Sequence, residues 1–251
     1  MESRRLPRPR LRRVRLPLAV FAARPTRRVF GAGLLAALAA PSAWADAAPV
    51  DLALVLAIDC SYSVDAREFR LQMQGMGDAV ASAEIWEAIQ KGPLQRIALS
   101  VFLWSDLETQ VVIQPWTVIA TAADAQRLGI HLASAPRSAE QGGTAISAAL
   151  LYGGALMVLA PPATRRVIDL STDGRNNMGR PAYRARDEVV ARGITINGLA
   201  IANEWPTLDV YLERQVAGGP SNFVIKADSY DDFGAAMQRK LIREITGPGV
   251  T

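Results

Sequence analysis

Val50-Asp51-Leu52-Ala53-Leu54-Val55-Leu56-Ala57-Ile58-Asp59-Cys60-Ser61-Tyr62-Ser63 is the stretch that decides the fold. Residues 50–58 are almost continuously apolar, the pattern of a strand buried on both faces rather than of the alternating strand of a half-solvated sheet. The run then breaks into a segment in which a carboxylate and two hydroxyls alternate with Cys60 and Tyr62. The chain uses this device again. An apolar run from Val167 ends in Ser171-Thr172-Asp173-Gly174, and Gly142-Gly143 leads into Thr144. The ends of apolar runs and the start of a helix thus carry D-x-S-x-S, then T, then D.

Strand-like and helix-like runs alternate through the rest of the chain. Residues 65–90 read as one long helix, opened by Asp65 and closed near Gly92-Pro93. Residues 96–104 and 110–116 read as strands joined by a hairpin at 105–109, with Pro115 marking the end of the second. Helices are predicted at 121–134, 144–159, 181–192, 208–216 and 230–245. Further strands are predicted at 166–170, 194–201 and 223–225. The expected fold is α/β, a doubly wound and mostly parallel sheet flanked by helices on both faces, with the hairpin supplying one antiparallel edge strand. In open sheets of this kind, ligands bind outside the carboxyl ends of the strands. Asp59 and Asp173 fall at such ends and Thr144 at a helix start that faces them, so all five oxygens are expected on one rim.

Charge is divided unevenly along the 251 residues. Residues 1–45 hold ten arginines and one acid, Glu2, while the remainder holds 18 basic and 23 acidic residues. The basic pI therefore belongs to the leader, and no basic stripe with interleaved aromatics supports nucleic-acid binding. In the leader, Thr26-Arg27-Arg28-Val29-Phe30 precedes an apolar run, a break at Pro41 and the A-x-A site Ala43-Trp44-Ala45. That order is that of a secretory signal, and the arginine pair with Phe30 resembles the twin-arginine export motif. The apolar run is too short to span a bilayer. The expected organisation is a signal peptide at 1–45, a short segment at 46–49, one domain at 50–246 and a tail at 247–251. The expected location is the periplasm or the exterior. The mature part offers no transmembrane segment. One cysteine, Cys60, and one histidine, His131, leave little material for a zinc site or a Ser-His-Asp triad. Cys60 reads as a small apolar residue packed under the loop.

The five oxygen side chains, Asp59, Ser61, Ser63, Thr144 and Asp173, suit a hard divalent ion. Mg²⁺ prefers six oxygens in an octahedron, and hydroxyls and carboxylates suit it better than thiolate or imidazole. Each segment alone also reads as local structure, since Asp and Ser cap helices and close turns. In conjunction, the pattern resembles the metal-ion-dependent adhesion site of von Willebrand factor A domains. That resemblance implies that Ser61, Ser63 and Thr144 touch the ion directly or nearly so, with Asp59 and Asp173 acting mostly through coordinated water. Residues 50–246 also resemble a family of exported bacterial proteins with a von Willebrand factor A-like domain and no assigned function. The match is carried by the D-x-S-x-S segment, Arg166-Val167-Ile168-Asp169-Leu170-Ser171, Asp173-Gly174 with Asn176-Asn177, Gly193 to Leu199, Gly218-Gly219-Pro220 and Arg239-Lys240-Leu241.

The expected function is an exported metal-dependent binding module, not an enzyme. A partner protein or ligand would offer a carboxylate to Mg²⁺, or to Mn²⁺ or Ca²⁺, and loops at 105–108, 137–141 and 175–180 would set specificity. The alternatives are a structural metal in a scaffold or assembly factor, and a metal-dependent hydrolase or phosphotransferase. Catalysis finds little support. Ser61 stands where a second acid would follow Asp59, and neither a phosphate loop nor a dinucleotide fingerprint is present.

Overall fold

The structure is a computed structural model describing residues 48–247. The signal peptide and cleavage site expected within residues 1–45, and the tail beyond Gly247, lie outside the described residues. Strand β1 (Val50–Asp59) is buried along its whole length. It lies between two parallel neighbours, β2 (Ile97–Trp104) and β4 (Ala163–Thr172), with β3 (Gln110–Ile119) as the hairpin partner of β2. Strands β5 (Thr195–Ile201) and β6 (Val224–Ala227) extend the sheet on the other side, giving the order β3-β2-β1-β4-β5-β6 with only β3 antiparallel.

The side chains of β1 divide by size between the two faces. Leu52, Leu54, Leu56 and Ile58 meet α1 (Ala66–Ala81), α2 (Ala83–Gln90), α3 (Ala122–Ala133) and α7 (Phe233–Thr246). The smaller Ala53, Val55 and Ala57 face α4 (Ile146–Leu156), α5 (Ala182–Val190) and α6 (Leu208–Gln215). This two-sided covering is why the strand reads as an unbroken apolar run. Among the described residues no helix is long and apolar enough to cross a membrane.

Three local expectations are corrected. The helix expected over 65–90 is two helices. Asp65 and Glu68 form a capping box at the start of α1, and Ser82, in extended geometry, ends α1 and accepts the Ile85 N–H to start α2. Serine competes with the helix through this local hydrogen bond. The strand expected to end at Pro115 continues to Ile119. It is an edge strand, where a missing N–H is tolerated, and its register with β2 shifts between Leu99 and Phe102. The helix expected from Thr144 begins at Ile146 and ends at Leu156, followed by a 3₁₀ turn at Met157–Leu159.

Behind β4 lies a buried charge cluster. Lys240 of α7 is fully buried, 2.8 Å from Asp169 and 2.6 Å from Glu244. Asn197 donates to Glu244 at 2.9 Å. Burial first, and then Glu244, push Asp169 up to about 7. The cluster fastens α7 to the middle of the sheet, and removing one member would strand a buried charge.

Helix α1 packs on α7 where Gly75 and Gly234 meet without side chains. A Cβ on Gly75 would lie 2.7 Å from the Gly234 Cα. Gly75→Ala is therefore expected to lower unfolding free energy by about 1–3 kcal/mol through overpacking against backbone, measured as a fall in the urea midpoint at unchanged slope. An unchanged midpoint would show that the two helices separate freely.

Candidate metal centre

The site is assembled at the carboxyl ends of β1 and β4, which are neighbours in the sheet. Asp59 is the last residue of β1, and Asp173 follows the last residue of β4. The Asp59 carboxylate turns the chain back on itself: its Oδ1 accepts the Ser61 N–H at 2.8 Å. Its Oδ2 accepts the Thr172 hydroxyl, which ties the end of β1 to the end of β4. Ser63 donates to Asp173 Oδ1 at 2.7 Å, and the Ser61 and Ser63 hydroxyls stand 3.2 Å apart. Four of the five expected residues are thus linked, Ser61, Ser63 and Asp173 through their side chains and Asp59 through the Ser61 amide.

Thr144 joins them from the start of α4. A Cβ on Gly174 would lie 3.4 Å from the Thr144 Oγ1, so the hydroxyl faces the turn after Asp173. Asn177 Oδ1 accepts the Thr144 N–H at 2.8 Å, and Asn176 Oδ1 accepts the Ser147 N–H at 3.1 Å. Helix α4 has no side-chain cap of its own. Asn176, from the loop after β4, satisfies one orphan donor of the first turn, and Asn177 holds the residue before the N-cap. Backbone bonds complete the assembly, from Tyr62 N–H to Gly142 O at 2.9 Å and from Ala145 N–H to Ser105 O at 2.8 Å.

Several residues that hold the site had no signal in the sequence. Tyr230 donates to Asp173 Oδ2 at 2.9 Å from 57 residues away, and burial followed by Asp173 raises its hydroxyl pKa. Thr172 was visible only as a member of the Ser171-Thr172-Asp173 run. Arg137, expected on the specificity rim, instead donates to the carbonyls of Val64 at 2.9 Å and Cys60 at 2.6 Å. Asn176 and Asn177 turn their side-chain oxygens to the start of α4, although Asn177 stays exposed. Other groups stand exposed there, some of them in the expected loops at 105–108 and 175–180. Tyr62 is 73% exposed, and Leu107, Met178 and Trp205 are exposed as well, with the Arg175 guanidinium 5.1 Å over the Trp205 ring.

Cys60 is fully buried and donates its thiol to the Trp104 carbonyl at 3.2 Å. Burial and then Asp59 push its pKa up to about 12, which makes it an inert packing residue.

Asp59, Ser61, Thr144 and Asp173 are buried, and neither aspartate forms a salt bridge among the described residues. Burial, and then the charge of Asp173, push Asp59 up to about 7. Two neighbouring buried carboxylates without a basic partner call for a cation. Two carboxylates and three hydroxyls, with no sulfur or imidazole donor, fit a hard divalent ion. The residues present therefore fit the metal that the pattern implies.

A family model described as a protein of unknown function, DUF1194, matches residues 49–249. A search of curated proteins returns no match. Solved structures share the fold. Proximal thread matrix protein 1 from the mussel byssus, in a form with a zinc-occupied MIDAS motif, is 18% identical with a TM-score of 0.60, over 79% of this chain and 48% of that one. A von Willebrand factor type A protein from Catenulispora acidiphila is 20% identical with a TM-score of 0.56, over 78% and 43%. The pilus adhesin SpaC from Lactobacillus rhamnosus GG is 15% identical with a TM-score of 0.58, over 78% and 31%. The chain spans about half or less of the length of these proteins. At such identities the likeness is one of fold, and that fold is von Willebrand factor A-like.

The raised pKa of Asp59 fixes the sign of a pH effect. Between its ordinary value of 3.8 and about 7 the folded chain holds a proton that the unfolded chain has released. Ion-free stability is therefore expected to fall as pH rises through that window and to level off above it. Asp169, also raised to about 7, adds to the slope. Denaturant midpoints measured in EDTA at intervals across the window should decline, and Asp59→Asn should flatten part of the decline. A slope that is flat, or of opposite sign, in the native chain would contradict the assignment.

Proposed function

The chain belongs to DUF1194, a family of proteins of unknown function, and we propose that it is a metal-dependent binding module. In this reading Ser61, Ser63 and Thr144 hold a divalent cation such as Mg²⁺, and Asp59 and Asp173 balance its charge. The observation that carries the reading is the joining of Ser61, Ser63 and Asp173 beside a second buried carboxylate, Asp59, with no basic partner for either acid among the described residues. An ion held by hydroxyls remains electrophilic, and a carboxylate from a partner completes its shell. The presence of a zinc-occupied motif of this kind in a structure of the same fold is consistent with that role.

The partner is a protein surface or ligand that presents an acidic group flanked by apolar ones. Tyr62, Leu107, Met178 and Trp205 supply apolar contact around the ion, and aromatic side chains in such positions carry much of the energy of protein interfaces. Binding, rather than turnover, is supported by the carboxylates themselves. Each oxygen of Asp59 and of Asp173 accepts a hydrogen bond that holds the loops of the site together. The leader, with its arginine pair and cleavage pattern, supports a place of work in the periplasm or outside the cell.

A thermal melt in EDTA and then in Mg²⁺, Mn²⁺ or Ca²⁺ tests the reading. An ion at 100 times its dissociation constant should stabilise the fold by about 2.7 kcal/mol, and Ser61→Ala should lose most of that shift while remaining folded. Added glutamate should tighten Mn²⁺ binding to the native chain, because linkage between ion and carboxylate is reciprocal. An ion shift without any effect of glutamate would make the metal structural, and the absence of a shift with every ion would remove the metal site.

A further inference from the structure

At the other end of the sheet is a second concavity, of about 530 Å³, within the range of small-molecule sites. Its walls are the amino end of β4, the start of β5, the turn after α5, the loop before β6 and the last turn of α7. Strand β4 begins at Ala163, but its pairing with β5 begins only at Val167. Residues 163–166 therefore present an edge with no strand alongside, and the cavity opens against that edge.

Four arginines line it, Arg165, Arg166, Arg192 and Arg243, against one acid, Glu244. Glu244 is already matched by Lys240 at 2.6 Å. Arg165 is committed to the end of α7, donating to the carbonyls of Glu244 and Ile245 at 2.6 Å each. Arg166, Arg192 and Arg243 form no salt bridge among the described residues. The Arg243 guanidinium lies 4.0 Å over the Phe223 ring, which holds it in place. The concentration of positive charge runs against the rest of the domain, since 18 basic residues face 23 acidic ones beyond residue 45. Glu244 is 2% exposed and faces the buried Asp169 carboxyl as well as Lys240, so its charge is engaged inside the fold.

We propose that this cavity binds a small organic polyanion, with its oxyanion groups held by Arg166, Arg192 and Arg243. Guanidinium groups match carboxylate and phosphate oxygens in paired, charge-assisted bonds. The shared chemistry is the oxyanion, and its source is a polycarboxylate or a phosphate ester. The site is separate from the metal centre, which lies at the carboxyl ends of the same strands.

Isothermal calorimetry of the full chain with citrate and with pyrophosphate, in EDTA at low salt, tests the proposal. The chelator ensures that neither anion acts through a divalent ion. Saturable one-site binding is expected, weaker by about tenfold or more in Arg166→Gln/Arg192→Gln and unchanged in Ser61→Ala. Binding of citrate alone identifies the polycarboxylate class, and binding of pyrophosphate alone the phosphate class. Both arginines are exposed, so the double variant should melt with the native chain. If it does not fold, Arg192→Glu in the turn after α5 serves in its place, with a larger loss expected. Failure of both anions to bind saturably, or equal affinity in the arginine variant, overturns the proposal. Equal affinity would assign the binding to the ten arginines of the leader or to another surface.

Discussion

Two carboxylates buried side by side at the ends of adjacent parallel strands are the constraint on which the candidate site depends. Asp59 and Asp173 are buried and form no salt bridge among the described residues, so nearby hydrogen-bond donors are recruited to them. The Ser61 amide, the Thr172 and Ser63 hydroxyls and the Tyr230 phenol each serve one of their four oxygens. These bonds fix the loop after β1 to the end of β4 and to the segment before α7. The loop holding Thr144 is drawn in through Asn177 and the Tyr62–Gly142 bond. A surface that would otherwise be three independent loops is thereby one network, positioned by the sheet beneath it.

The sheet gives the molecule two chemically opposite ends. Parallel strands align their carboxyl termini on one side, and there the sequence places hydroxyls and acids. The amino end gathers guanidinium groups around the overhanging edge of β4. Between them, the Lys240 cluster fastens α7, whose last turn lines the basic cavity, while Tyr230 in the segment before α7 reaches the acidic centre. Helix α7 can lie this close to α1 only because Gly75 and Gly234 lack side chains at the contact.

Much of this was legible in the sequence, for physical reasons that differ by element. Strands covered on both faces read as continuous apolar runs, so β1, β2 and the sheet type followed from residues 50–58 and 96–104. The five oxygen side chains stood out in conjunction, because two groups follow the apolar runs from Val50 and Val167 and the fifth stands at a helix entry. The break at Ser82 was not legible, because the apolar periodicity continues across it and a serine cap looks like any helix-surface serine. Nor were the partners of the site. Nothing local marks Tyr230 as the companion of Asp173, and Arg137 has the composition of a rim residue while facing inward. Lys240 reads as a solvated lysine until Asp169 and Glu244 close around it. The arginines of the second cavity come from three separate segments and form no pattern along the chain.

The placement of Cys60 has a practical corollary. Its thiol sits beneath the loop that carries Ser61 and Ser63, sealed from solvent and held by the Trp104 carbonyl. A thiol reagent can reach it only during excursions in which that loop lifts away from the sheet. The chain therefore carries a single built-in chronometer for loop opening, read by the rate at which Cys60 is alkylated, and it times motion at the one place where an ion or a bound carboxylate would slow it.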